Sequence, residues 1–102
     1  MPDTLRFEWD PRKAAANRAT HKVSFEEEVT AFRDPLGRIT DDPRHSADED
    51  RYVLLGLSER QRLLAVMFTE RGEAIRLVSA RKATRRERRD HEESKSWRGD
   101  AA

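Results

Sequence analysis

Residues 52–80 read YVLLGLSERQRLLAVMFTERGEAIRLVSA. Three apolar runs stand out in this stretch, Tyr52 to Leu57, Leu63 to Thr69 and Ala74 to Ala80, separated by polar gaps at Ser58 to Gln61 and Glu70 to Glu73. Each run is of strand length, and gaps this short make consecutive hairpins. The middle of the chain therefore predicts an antiparallel meander against which everything else must pack.

Upstream, Leu5, Phe7 and Trp9 alternate with Arg6 and Glu8, the period of a strand with one buried face. Asp10 and Pro11 end that strand and open a helix running to about Thr20. An Asp side chain accepts a free backbone N–H at the N-cap, and the missing N–H of proline costs nothing at the first helical position. This helix is Ala-rich on the side that must lie close to a neighbour. Ser24 and Glu27 have the spacing of a reciprocal capping box for a second helix, in which Phe25, Val29 and Phe32 recur on one face as core. Asp34, Pro35 and Gly37 suit a type I turn leading into a short strand, GRIT. Residues 41–51, DDPRHSADEDR, carry no large apolar side chain and read as an exposed loop with one helical turn begun by Ser46 and Glu49. Downstream, Thr84 and Glu87 form a capping box for a third helix, from near Lys82 to near Glu93. Residues 94–102, SKSWRGDAA, are mostly small or polar and read as a frayed, flexible tail to a single domain of residues 1–93. The fold class is α+β, with an N-terminal strand and two helices packed on one face of an antiparallel sheet, then a C-terminal helix.

The composition bounds the function. With 102 residues, 35% of them hydrophobic and 40% charged, the chain makes one modest core and no large multi-layer enzyme. Twenty-one basic and twenty acidic residues leave a formal net charge of +1, so a nucleic-acid footprint must come from where the charges lie. The absence of cysteine removes disulfides, thiolate nucleophiles and Cys-based zinc sites. No stretch approaches the roughly 18 apolar residues of a membrane span, and the N-terminus has no apolar signal core. These features suit a cytoplasmic protein. Four scattered glycines make no phosphate-binding loop, and no serine sits in a nucleophile elbow.

Histidine and arginine remain as chemistry-bearing residues. If the first helix reaches His21, then Lys13, Asn17 and His21 share a face, and a cation, an amide and an imidazole in a row suit a phosphodiester. The alternative is that His21 simply ends the helix near its last carbonyls. His45 lies among Asp41, Asp42, Asp48, Glu49 and Asp50, but the spacing matches neither an EF-hand nor a zinc pair, which favours a solvated loop over a metal site. His91 reads as a surface residue. Arg71 lies in the last hairpin, Arg76 interrupts the final apolar run, and Arg81 closes it. Arg76 and Arg81 differ in parity, so both serve one face only if the strand ends or bulges before Arg81. Alternatively, Arg76 pairs with a cross-strand acid.

The segments FEWDPRKAAAN, THKVSFEEE, FRDP, DDPRHSADEDRYVLLGLS and IRLVSARKATRRERRDHEE, in that order, resemble the BrnT family of toxins from bacterial type II toxin-antitoxin pairs. The resemblance spans Phe7 to about Glu92, with Lys22 where glycine is common and His91 where an aromatic is common. It implies a RelE-like fold and an endoribonuclease that cleaves RNA without a metal or other cofactor and arrests translation. It also implies a BrnA-like ribbon-helix-helix antitoxin that neutralises the toxin, binds operator DNA on its behalf in a heterotetramer, and with it represses the shared operon. His21, Arg71, Arg76 and Arg81 are then the candidate catalytic residues, with Lys13 and Lys82 binding substrate. Two other classes fit the residues alone: a non-catalytic nucleic-acid-binding module using the last helix, and a metal hydrolase built on His45. In the segment from Ser79 to Glu93, six of fifteen side chains are Lys or Arg, yet Glu87, Asp90, Glu92 and Glu93 interleave with them at helix-pairing distances. Most of that charge therefore reads as a solvated or antitoxin-facing surface, which narrows the chemistry to Arg81.

Overall fold

The computed structural model describes residues 5–42 and 50–101, with side chains as far as Glu93. The elements run β1 (Arg6–Glu8), α1 (Pro11–His21), α2 (Phe25–Ala31), β2 (Arg38–Asp41), β3 (Arg51–Leu57), β4 (Leu63–Arg71), β5 (Ala74–Lys82) and α3 (Arg85–Ala101). The meander forms where the apolar runs place it, and β2 extends it along the other side of β3. The sheet order is β1-β5-β4-β3-β2. One expectation is corrected here: the sheet is mixed, because β1 lies parallel to β5, pairing Arg6 to Glu8 with Ala74 to Arg76. The two helices after β1 carry the chain across the sheet, so the last strand of the meander returns in the same direction as the first strand.

The caps explain where the helices stop and start. Asp10 accepts the Arg12 N–H at 2.8 Å and Pro11 opens α1. Lys22 closes α1 at φ +62°, the left-handed conformation that glycine adopts without strain. Ser24 caps α2 by accepting the Glu27 N–H at 3.1 Å, but the return arm of the expected box is absent. The Glu27 carboxylate instead pairs with Arg62 through two nitrogens and accepts from the Ser58 hydroxyl at 2.7 Å. Arg62 also donates to the Lys22 carbonyl at 3.0 Å, so one buried carboxylate joins the end of α1, the start of α2 and the β3–β4 turn. The Thr84–Glu87 box is complete, with bonds of 2.8 and 3.1 Å. Here β5 occupies Lys82, so α3 begins at Arg85 rather than near Lys82, and it continues past the end near Glu93 that the sequence predicts. No proline or glycine interrupts residues 94–98.

α2 supplies Phe25 and Ala31 to a core that also contains Leu54, Leu64, Val66, Phe68, Leu77 and Ala80. Phe7, Phe32 and Phe68 stack edge-to-face in series, each centroid 5.1 Å from the next, tying β1, α2 and β4 together. Edge-to-face pairs of this kind contribute about 0.5–1.5 kcal/mol beyond burial. Of the alanines in α1 only Ala14 packs on this core, so close approach of an Ala-rich side is not what docks the helix. Asn17 does so, 6% exposed, donating to the Val23 carbonyl and accepting the Ala80 N–H, both at 3.0 Å. β1 pairs only with the first part of β5, and Asn17 covers the strand edge left open beyond it. The expected loop is entered through Asp41, within β2, and Asp42, which is buried. His45 and the helical turn at Ser46 and Glu49 lie outside the described residues.

Candidate functional site

β5 satisfies the condition that the parity of its arginines imposes. Its register pairs Met67 with Ser79 but Phe68 with Leu77, so Val78 is an extra residue with no partner on β4. The bulge reverses the alternation: Ile75, Leu77 and Ala80 face the core, while Arg76, Ser79 and Arg81 share the outer face of the sheet, opposite α2. Neither arginine is bare. Arg76 donates from Nη1 to Glu8 Oε2 at 2.8 Å, and Glu8 is its direct register partner on β1. Arg81 grips Glu87 through two parallel bonds, Nη1 to Oε1 at 2.8 Å and Nη2 to Oε2 at 3.0 Å. This pairing holds the Glu87 carboxyl down at about 2 and raises the guanidinium of Arg81 above its ordinary value.

Two shallow depressions flank this row. One, at the seam of α1 and β5, is lined by Lys13, Asn17 and His21 together with Val78 and Ser79. α1 does reach His21, so the three helix residues share the expected face. The other depression is lined by Arg81, Glu87, Met67, Val53, Thr40, Asp41 and Asp42. Ser79 lines the first and its register partner Met67 the second, so the two adjoin on the outer face. The charge is uneven: the Lys13 ammonium and the His21 imidazole stand at the seam, and the Arg81 side also carries carboxylates.

The remaining candidates separate from this group. Lys82 is exposed at the end of β5. Arg71 pairs with Ala74 at the hairpin end of the sheet, whereas Arg81 pairs with Ala65. At about 3.3 Å rise per residue this puts Arg71 about 20 Å from Arg81, too far to share one phosphate. His91 is not a surface residue: it is 5% exposed, with Nε2 3.4 Å from Asp34 Oδ2, which also accepts the Leu57 N–H at 2.8 Å. Among the described residues no cluster of three or more His, Asp or Glu converges as a metal site, and no helix is long and apolar enough to cross a membrane. Sequence reasoning missed Ser79 and the Glu87 clamp. Glu87 was legible only as a cap, because its partner lies six residues back across the strand-helix junction.

Fold and site together define a small α+β protein with an arginine-bearing sheet face beside a helix-borne Lys-Asn-His row. The family model described as the ribonuclease toxin BrnT of type II toxin-antitoxin systems matches residues 9–87, and the chain belongs to that family. As a type II toxin it has a protein antitoxin for a partner. The fold is similar to that of the Brucella abortus ribonuclease toxin BrnT, known from a 1.1 Å crystal structure. The TM-score is 0.63 and the identity 26%, over 80% of this chain and 100% of that one. No curated protein gave a significant match.

Proposed function

We propose that the chain arrests translation as a metal-independent, RelE-like endoribonuclease whose RNA lies across the outer sheet face. The observation that carries this reading is the Val78 bulge, which aligns Arg76, Ser79 and Arg81 beside the Lys13–His21 seam. A base withdraws the proton of an RNA 2'-hydroxyl, the oxygen attacks the adjacent phosphorus, and an acid protonates the departing 5'-oxygen. Arginine suits the charge that accumulates between these events, because it never titrates and its planar fork matches two phosphate oxygens. Arg81 takes this role, Arg76 and Lys82 hold neighbouring parts of the strand, Lys13 attracts the backbone, and His21 is the acid or the base. Arg71, remote from Arg81, contributes at most to a distant part of the RNA. The partner in this reading is a BrnA-like ribbon-helix-helix antitoxin, which in a heterotetramer recruits the toxin to operator DNA and represses the operon.

Arg81→Ala is expected to abolish RNA cleavage and growth arrest while leaving the unfolding midpoint within a few degrees of wild type. Wild-type cleavage must persist in excess chelator. A toxic, folded Arg81→Ala variant would remove Arg81 from the site. Salt-sensitive RNA binding without cleaved products would instead identify a binding module.

A further inference from the structure

We infer that Glu87 is a positioning residue for Arg81, turning the guanidinium so that its Nε side, rather than its terminal side, meets a phosphate. This rests on the reading of Arg81 as a phosphate contact and adds to it the residue that orients that contact. A guanidinium carries five N–H donors arranged as two forks, one between the terminal nitrogens and one along the Nε–Nη2 edge. Glu87 engages the terminal fork at 2.8 and 3.0 Å. The second Nη1 donor reaches back to the Lys82 carbonyl at 3.3 Å. Three donors are thereby engaged. The two that remain, Nε–H and the second Nη2–H, form the side fork, and no described group accepts from them. With 30% of the Arg81 side chain exposed, that fork is available to a phosphate.

The clamp is itself held. Glu87 Oε1 accepts the Thr84 N–H at 2.8 Å while the Glu87 N–H donates to Thr84 Oγ1 at 3.1 Å. The first turn of α3 thus fixes the carboxylate, and the carboxylate fixes the arginine. A helix cap that serves only its helix would leave the second carboxylate oxygen in solvent; here that oxygen completes a fork-to-fork pair with the end of β5. If Glu87 merely occupied the place of a phosphate, removing it would free Arg81 and strengthen RNA binding. Under positioning, removing it lets the guanidinium wander and weakens binding.

These alternatives separate by measuring cleavage of a single-stranded RNA oligonucleotide, and affinity for its uncleavable 2'-methoxy analogue, with the full chain. The variants are Arg81→Ala, Arg81→Lys, Glu87→Ala, Glu87→Gln and the double Arg81→Ala/Glu87→Ala. Glu87→Ala is expected to lose roughly tenfold to 100-fold in cleavage and about tenfold in affinity, with Glu87→Gln intermediate because it retains the cap. Arg81→Lys, with no fork, should not rescue. The double variant should bind the analogue no more weakly than Arg81→Ala alone, because Glu87 acts only through Arg81. Losses that add in the double variant, or a Glu87→Ala protein that binds as well as or better than wild type, overturn positioning while leaving Arg81 in place. If Glu87→Ala unfolds, Glu87→Gln bears the same comparison, and its parity with wild type in both assays overturns the inference. Undiminished cleavage by Arg81→Ala would overturn the phosphate role itself, which is a different failure.

Discussion

Three consecutive glutamates in the first turn of α2 meet three fates. Glu26 is exposed, Glu27 pairs with Arg62, and Glu28 is fully buried with neither carboxylate oxygen hydrogen-bonded. Burial raises the Glu28 carboxyl from 4.5 to about 9, helped by the charges of Glu26 and Glu27. Below about pH 4.5 it is protonated in both folded and unfolded chains; above that, only the unfolded chain ionises freely. Stability from this group is therefore complete in acid and is lost as the pH rises toward 9. Glu28→Gln, which mimics the neutral acid, should match wild type near pH 5 and exceed it at pH 9 by an amount on the order of a few kcal/mol. Urea unfolding of both proteins at the two pH values checks this, and equal slopes with pH would show that Glu28 ionises normally. Glu87 works in the opposite sense: its carboxyl lies at about 2, so its contribution is present above 4.5 and fades as the pH falls through 2.

At the scale of elements, α2 and β3 approach closely at Gly56 of β3. A Cβ there would lie 2.7 Å from the Ala31 carbonyl oxygen at the end of α2, a backbone atom that cannot swing aside. Gly56→Ala should therefore push α2 off the sheet and destabilise by about 1–3 kcal/mol, read as a lower urea midpoint with an unchanged slope. The strands and caps were legible because each depends on a local pattern: apolar runs between short gaps, Asp10 before Pro11, Thr84 before Glu87. What was not legible depends on partners distant in sequence. The parallel docking of β1 is decided by the path of α1 and α2, the diversion of Glu27 by Arg62, and the burial of His91 by Asp34. The resemblance to a glycine at Lys22 acquires a cause, since that backbone is left-handed. For the site, Lys13 and His21 could be paired from helical spacing and Arg81 placed at a strand end. Only the register revealed that Arg76 joins that face and that Arg71 stands at the opposite, hairpin end of the sheet from Arg81.

Over the whole molecule, order is unevenly distributed. β4 lies between β3 and β5, and its residues Leu63 to Val66 are buried whichever face they point to. Among the described side chains, α3 is held to the body by the Arg81–Glu87 pair and the His91–Asp34 contact. Native-state hydrogen exchange should find the amides of β4 opening only with global unfolding and those of α3 exchanging by a cheaper local opening. Equal protection of the two would contradict that division. The bulge at Val78 bears on how this sheet assembles. β5 consists of two half-strands of opposite phase, and a chain that zipped without the bulge would keep its hairpin while turning Ser79 and Arg81 inward, opposite Val66 and Leu64, and the buried Ala80 outward. That misregistered product would thrust an unpaired guanidinium against Leu64 and Val66 and strip Asn17 of the Ala80 amide. The wrong pairing thus penalises itself, and the arginine proposed to meet the phosphate also proofreads the strand that carries it.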